Sequence, residues 1–292
     1  MRLVRWGIFL ALLGAAFGWW LSRPVGVDDA LLAGLTPDPE QGALVFWAGG
    51  CASCHAADDA KGDDLLVLAG GQSLASDFGA FTVPNISPHP EAGIGGWSAL
   101  DLANAMMAGV SPDGRHYYPS FPYTSYTKMT AQDVVDLHAY LVTLPASDQV
   151  NPPHDLGFPF TVRRGIGLWK QLNLKDDWVL AGDVDAQIAR GRYLVEGPGH
   201  CSECHTPRDF AGGLDLSNWM TGAPNPSGKG RIPGIDPASL TWSAADIAYY
   251  LESGFTPEYD SAGGHMAKVV GNMARLPASD RAAIAAYLKA LP

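Results

Sequence analysis

Cysteine is scarce in this chain, four in 292 residues, and none is left over for a disulfide framework, because all four stand in two pentapeptides. Positive charge is also scarce. Nineteen basic side chains stand against 30 acidic ones, a formal net charge of −11, which argues against binding nucleic acid through its phosphates. Gly-rich phosphate loops, Ser/His/Asp sets and paired-carboxylate sites do not stand out, so the chain offers no catalytic machinery of its own. A single uncharged apolar run, 16 residues from Trp6 to Leu21, lies at the N-terminus.

The two pentapeptides carry the chemistry. They are Cys51-Ala52-Ser53-Cys54-His55 and Cys201-Ser202-Glu203-Cys204-His205, 150 residues apart. Two thiols on one helical turn reach two vinyl groups on one porphyrin edge, and the next side chain falls under the iron as proximal ligand. A zinc site needs four ligands and a redox dithiol has no use for the His. The cofactors expected are therefore two covalently bound haem c groups, held by Cys51, Cys54 and His55 and by Cys201, Cys204 and His205.

Residues 1–22 read as a transmembrane anchor or a signal segment. Arg2 and Arg5 precede the run, and Trp19, Trp20 and Arg23 close it. The only small cluster, Gly14-Ala15-Ala16, lies inside the run, whereas a cleavage site should follow it. Trp at an interface and Arg on the cytoplasmic flank suit an uncleaved anchor, and the run can span a thin bilayer. The rest of the chain is expected on the periplasmic side, anchored, or soluble there if the segment is cleaved.

After a stalk at 23–38, a repeat of 107 residues occurs twice, at 39–145 and 186–292. Each copy opens with a Gly-bearing helical stretch (Gly42, Gly191), then the pentapeptide, then a Pro loop, Val83-Pro84-Asn85 or Ile232-Pro233-Gly234. Trp97-Ser98-Ala99-Leu100-Asp101 and Trp242-Ser243-Ala244-Ala245-Asp246 read as capping boxes with Asp in the place of Glu. Gly109 and Gly254 end those helices, and a final helix closes each copy. The fold class expected is mainly α, with little or no sheet: two tandem helical domains, each wrapped around one haem.

Methionine is the expected sixth iron ligand of an electron carrier, because it raises the potential relative to His. In the second copy Met266, in the Gly-rich stretch Gly263-Gly264-His265-Met266, read as a loop before the last helix, is the candidate, with His265 and Met273 as competitors. Aligning the terminal helices puts Pro119 opposite Met266, so the first copy must recruit its ligand elsewhere. Met129 is the candidate and His116 the competitor, with the neighbouring tyrosines packing on the porphyrin.

The strings Pro84-Asn85-Ile86-Ser87-Pro88, Gly93-Ile94-Gly95-Gly96-Trp97 and Tyr118-Pro119-Ser120-Phe121-Pro122-Tyr123-Thr124-Ser125-Tyr126-Thr127-Lys128-Met129 resemble the membrane-bound cytochrome c subunits of bacterial periplasmic dehydrogenases for alcohols, gluconate and related substrates. That resemblance implies cytochrome c-type domains and supports Met129 as a haem ligand. Such subunits commonly have three haems and a C-terminal anchor, whereas this chain has two motifs and an N-terminal apolar run.

The interdomain linker, 146–185, holds Pro152, Pro153 and Pro159 and then an amphipathic stretch, Thr161 to Lys170. Arg163 and Arg164 there are expected to meet haem propionates or the anionic membrane surface, or simply to belong to a packed linker helix. The function expected is an electron-transfer protein, not an enzyme. It would pass single electrons from a periplasmic dehydrogenase or other redox donor to a quinone, cytochrome or terminal oxidase. The alternatives are a dihaem cytochrome c peroxidase and a cytochrome c subunit of a terminal oxidase.

Overall fold

The computed structural model describes residues 1–225 and 230–292. Helix α1 (Arg2–Leu21) has no buried residue along its whole length, and Ser22, immediately after it, is only 3% exposed. The apolar run therefore stands clear of the globular part, and its exit point is sealed into it.

Helix α2 (Pro39–Ala48) starts on the Asp38 carboxylate, which accepts from the amides of Glu40 and Gln41, with Pro39 in the first turn. Gly50 in the left-handed region (φ 60°) turns the chain into α3 (Cys51–His55), the first pentapeptide. An antiparallel hairpin follows, β1 (Ser73–Ser76) and β2 (Gly79–Thr82), with Ser73 opposite Thr82.

Helix α4 (Ala99–Ala108) carries the capping box expected at Ser98 and Asp101 and ends on left-handed Gly109. A helical turn α5 (Tyr123–Tyr126) and helix α6 (Ala131–Leu141) complete the first copy.

The linker is built into the fold at both ends. Strand β3 (Asp155–Leu156) pairs with β2, placing Leu156 opposite Gly79, and α7 (Arg164–Asn173) packs against α4 through Lys170. The few short strands agree with the expectation of a mainly α fold with little sheet, and β3 forms where the linker finds an open edge on the hairpin.

The second copy contains α8 (Ala186–Glu196), α9 (Ser202–His205), the pair β4 (Ala223–Pro224) and β5 (Arg231–Ile232), α10 (Ala244–Ser253), α11 (Gly264–Met273) and α12 (Ala278–Ala290). Helix α10 repeats the capping box with Ser243 and Asp246 and the left-handed stop at Gly254. The Gly-rich stretch expected as a loop is instead the start of α11, with Gly263 as its cap.

First and last helices of each copy cross at a glycine. A methyl group at Gly42 would collide with the Asp136 carbonyl on α6, and one at Gly191 with the Ala283 carbonyl on α12. Phe46 then meets Tyr140 edge-on at 5.3 Å, and Tyr287 is fully buried at the matching point. The buried apolar side chains of both copies form one continuous cluster, reaching from Phe46 and Met129 to Leu194 and Tyr287.

Candidate functional site

Both attachment turns are short helices, so the two cysteines of each, three residues apart, share one face. His55 Nδ1 lies 2.9 Å from the Pro84 carbonyl oxygen, and His205 Nδ1 lies 2.8 Å from that of Pro233. A carbonyl can only accept, so each Nδ1 carries the proton and each Nε2 keeps a free lone pair. Burial pushes His55 down to about 4 and lowers His205 as well, each opposed by its carbonyl bond. Both rings are neutral at physiological pH, the state a metal ligand needs.

The backbone is duplicated as closely as the side chains. Gly70 N donates to the His55 carbonyl at 2.7 Å, and Gly222 N to the His205 carbonyl at 2.7 Å. The Pro loops, visible in the sequence only as an echo, thus supply the oxygens that set the two imidazole tautomers. That echo was the one signal for them, and its role needed the fold.

Burial pushes Cys51 and Cys201 each up to about 12, so both are neutral thiols in the unattached chain. Among the described residues no group of three or more His, Cys, Asp and Glu is arranged to hold a metal ion. The Cys and His geometry fits a tethered porphyrin with a neutral His under its iron.

Met129 is 4% exposed and follows α5, its amide donating to the Tyr126 carbonyl at 2.9 Å. Met266 lies in the first turn of α11, half-buried at the margin of the core, and Met273 lies inside it. His265 is exposed. His116 is buried and its Nε2 bonds the Ser22 carbonyl at 2.9 Å. Of the tyrosines near Met129, Tyr126 is buried and meets the His200 ring edge-on at 5.6 Å, beside the second attachment turn. Tyr118 and Tyr123 turn to the linker instead: the Tyr118 hydroxyl donates to the Phe160 carbonyl at 2.6 Å, and Tyr123 sits under Lys170.

The arginines of the linker bind neighbouring chain. Arg163 donates to the His116 carbonyl at 3.0 Å and stacks on Tyr118, while Arg164 donates to Ser22 Oγ at 3.0 Å and stacks on Trp19.

The two attachment turns touch. His200, just before Cys201, bonds the Gly49 carbonyl at 3.2 Å through Nε2, and Asn272 of α11 donates to Ser53 Oγ of the first pentapeptide at 2.7 Å. Thr124 donates to Glu203 of the second pentapeptide at 3.0 Å. Each attachment helix is thus gripped by a helix of the other copy, α3 by α11 and α9 by α5.

The family model for cytochrome c matches residues 39–145. A diheme cytochrome c-type protein of Cereibacter sphaeroides is 58% identical over 286 residues, covering 98% of this chain and 97% of that protein. A nicotinate dehydrogenase subunit of Pseudomonas putida is 36% identical over 98% of this chain, which spans 24% of that protein. The fructose dehydrogenase cytochrome subunit of Gluconobacter japonicus is 33% identical over 88% of this chain, which spans 53% of it.

Proposed function

This chain belongs to the cytochrome c family and carries two covalently bound haem c groups, and from that premise we propose that it relays single electrons from a periplasmic dehydrogenase to a respiratory-chain acceptor, turning over no substrate itself. Each haem, when bound, supplies a one-electron iron couple. Cys51 and Cys54 would tether the first and His55 Nε2 would ligate it, with Met129 as its second iron ligand. Cys201, Cys204, His205 and Met266 would do the same for the second. The observation that carries this reading is the duplicated His-to-Pro carbonyl bond, which leaves both Nε2 atoms free to ligate.

We keep Met266, in the first turn of α11 behind Gly263 and Gly264, as the ligand of the second haem, with Met273 as its competitor. Contact between the turns before Cys51 and Cys201 supports direct exchange between the two haems. The likeness to cytochrome subunits of dehydrogenases supports a dehydrogenase as donor.

The chain acts at the periplasmic face of a bacterial inner membrane, held by α1. Retention of α1 is supported by its exit: Ser22 is 3% exposed, its carbonyl held by His116 and its hydroxyl by Arg164. A chain cut after Ser22 would lose those bonds.

The test is low-temperature optical and magnetic spectroscopy of the holoprotein with Met129→Ala and Met266→Ala. Each change is expected to remove one share of the Met-to-iron charge-transfer band and to lower the potential of one haem. A resting high-spin haem with hydrogen peroxide turnover in the unaltered protein would overturn the carrier reading.

A further inference from the structure

Helix α7 lies across the point where α1 leaves the globular part. Its inner face is committed: Gly167 is pressed against the Ser22 carbonyl, Lys170 Nζ donates to the Ala108 and Gly109 carbonyls at 2.7 Å, and Gln171 Nε2 donates to the Leu21 carbonyl at 3.2 Å. Arg164, at its start, stacks on Trp19 with 4.1 Å between guanidinium and ring.

Its outer face is apolar and uncovered. Leu168 and Leu172, four residues apart on one side of the helix, are 46% and 73% exposed. The segment leading into α7 adds Phe158 at 85%, Phe160 at 42% and Val162 at 53%. Phe210, fully exposed, comes from a turn tied to the same helix by Trp169 Nε1, which donates to the Ala211 carbonyl at 2.9 Å. Phe78 joins the two segments, meeting Phe160 edge-on at 4.9 Å and reaching Gly212. Apolar side chains from separate stretches of chain therefore gather around one helix. A patch of that kind on a globular surface marks a contact site.

We propose that α7 and the Phe158–Val162 segment lie on the bilayer that α1 enters, as a second lipid contact. The inference rests on the reading of α1 as a retained anchor, and it adds an orientation to it. Continuity identifies the occupant. Residues at the end of α1 hydrogen-bond to α7, so a membrane around the first is about one helix diameter from the second. Trp19 and Trp20 mark the interface level, and Arg23 stacks on Trp20 at 4.5 Å, as expected for an aromatic belt with its cation on the water side. An amphipathic helix lying at that level sinks its apolar side about 5–10 Å into the headgroup and acyl boundary. With α7 docked, the attachment turns face the periplasm at a fixed angle to the membrane.

The test uses the full chain, both haems attached, in vesicles of phosphatidylcholine and phosphatidylglycerol. Single thiols are introduced as Phe158→Cys, Leu172→Cys, Phe9→Cys in α1 and Tyr249→Cys on α10, and each is given a nitroxide. The haem thiols are consumed as thioethers, and an unchanged haem spectrum certifies each variant. Accessibility to oxygen relative to a water-soluble nickel chelate is expected to be several-fold higher at 158 and 172 than at 249, approaching the value at 9. Labels at 158 and 172 as open to the chelate as that at 249, with the label at 9 inside the bilayer, overturn the inference and leave the anchor standing. Shielding of 158 and 172 from both reagents means a protein covers the patch and overturns it as well. An aqueous label at 9, or its loss from the mature chain, removes the anchor reading and this inference with it.

Discussion

Lys128 Nζ donates to Glu196 Oε2 at 2.8 Å across the boundary between the two copies, with side chains 8% and 0% exposed. The carboxylate also accepts from the Tyr287 hydroxyl at 2.8 Å and the Val179 amide at 2.9 Å. Lys128 is the residue before Met129, and Glu196 stands five residues before Cys201. The segment that carries Met129 is thereby tied to the helix that leads into the second pentapeptide.

Removing one partner leaves a buried charge without its counter-ion. Lys128→Met is expected to destabilise the holoprotein by about 3–5 kcal/mol, and Lys128→Met with Glu196→Gln to recover most of that loss. Guanidinium unfolding followed by haem absorbance measures both. A double variant as unstable as the single one would deny the pair its role.

The glycines at the helix crossings admit no side chain. Gly42→Ala and Gly191→Ala force α2 from α6 and α8 from α12, at about 2 kcal/mol or more each. Gly271→Ala is the contrast, since nothing lies within 4 Å of a Cβ there and it sits inside α11. It should stabilise by about 0.5–1 kcal/mol, as alanine does in an open helical position. Thermal unfolding of the three variants separates the cases.

Burial pushes Lys170 down to about 7 from its usual 10.5, against the pull of the two carbonyls at the end of α4. Between pH 7 and 10.5 the unfolded chain holds a proton that the folded protein has released. Stability attributable to this group therefore rises with pH through that window, by up to about 1.4 kcal/mol per unit. Lys170→Met should flatten that rise in unfolding experiments from pH 6.5 to 9.5. An unchanged slope would place the depressed proton affinity elsewhere.

Ser98 and Ser243 each accept from the amide of the Asp three residues on, and that Asp accepts from the Ser amide in return. Ser98→Ala and Ser243→Ala are each expected to cost about 1 kcal/mol. The effects should add, because the two caps share no partner and lie in different copies. Chemical denaturation of the single and double variants checks this.

These caps were legible in the sequence because donor and acceptor are three residues apart. The same holds for the left-handed stops at Gly109 and Gly254 and for the pentapeptides themselves. The Met266 stretch shows where such local reading fails. Two glycines suggest a loop, but Gly263 caps a helix whose inner face packs Val270 and Met273 into the core, and that burial outweighs the glycine penalty.

Local spacing alone determined the attachment chemistry, the repeat and the helix ends of this protein, since each needs only residues within a turn or two of one another. Tertiary structure decided the rest. The Pro84 and Pro233 carbonyls that orient the two histidines lie 29 and 28 residues away, Glu196 lies 68 residues from Lys128, and Ser22 lies 94 from His116. Such partners meet only when burial of the shared core brings distant segments together, and no pattern along the chain encodes that meeting.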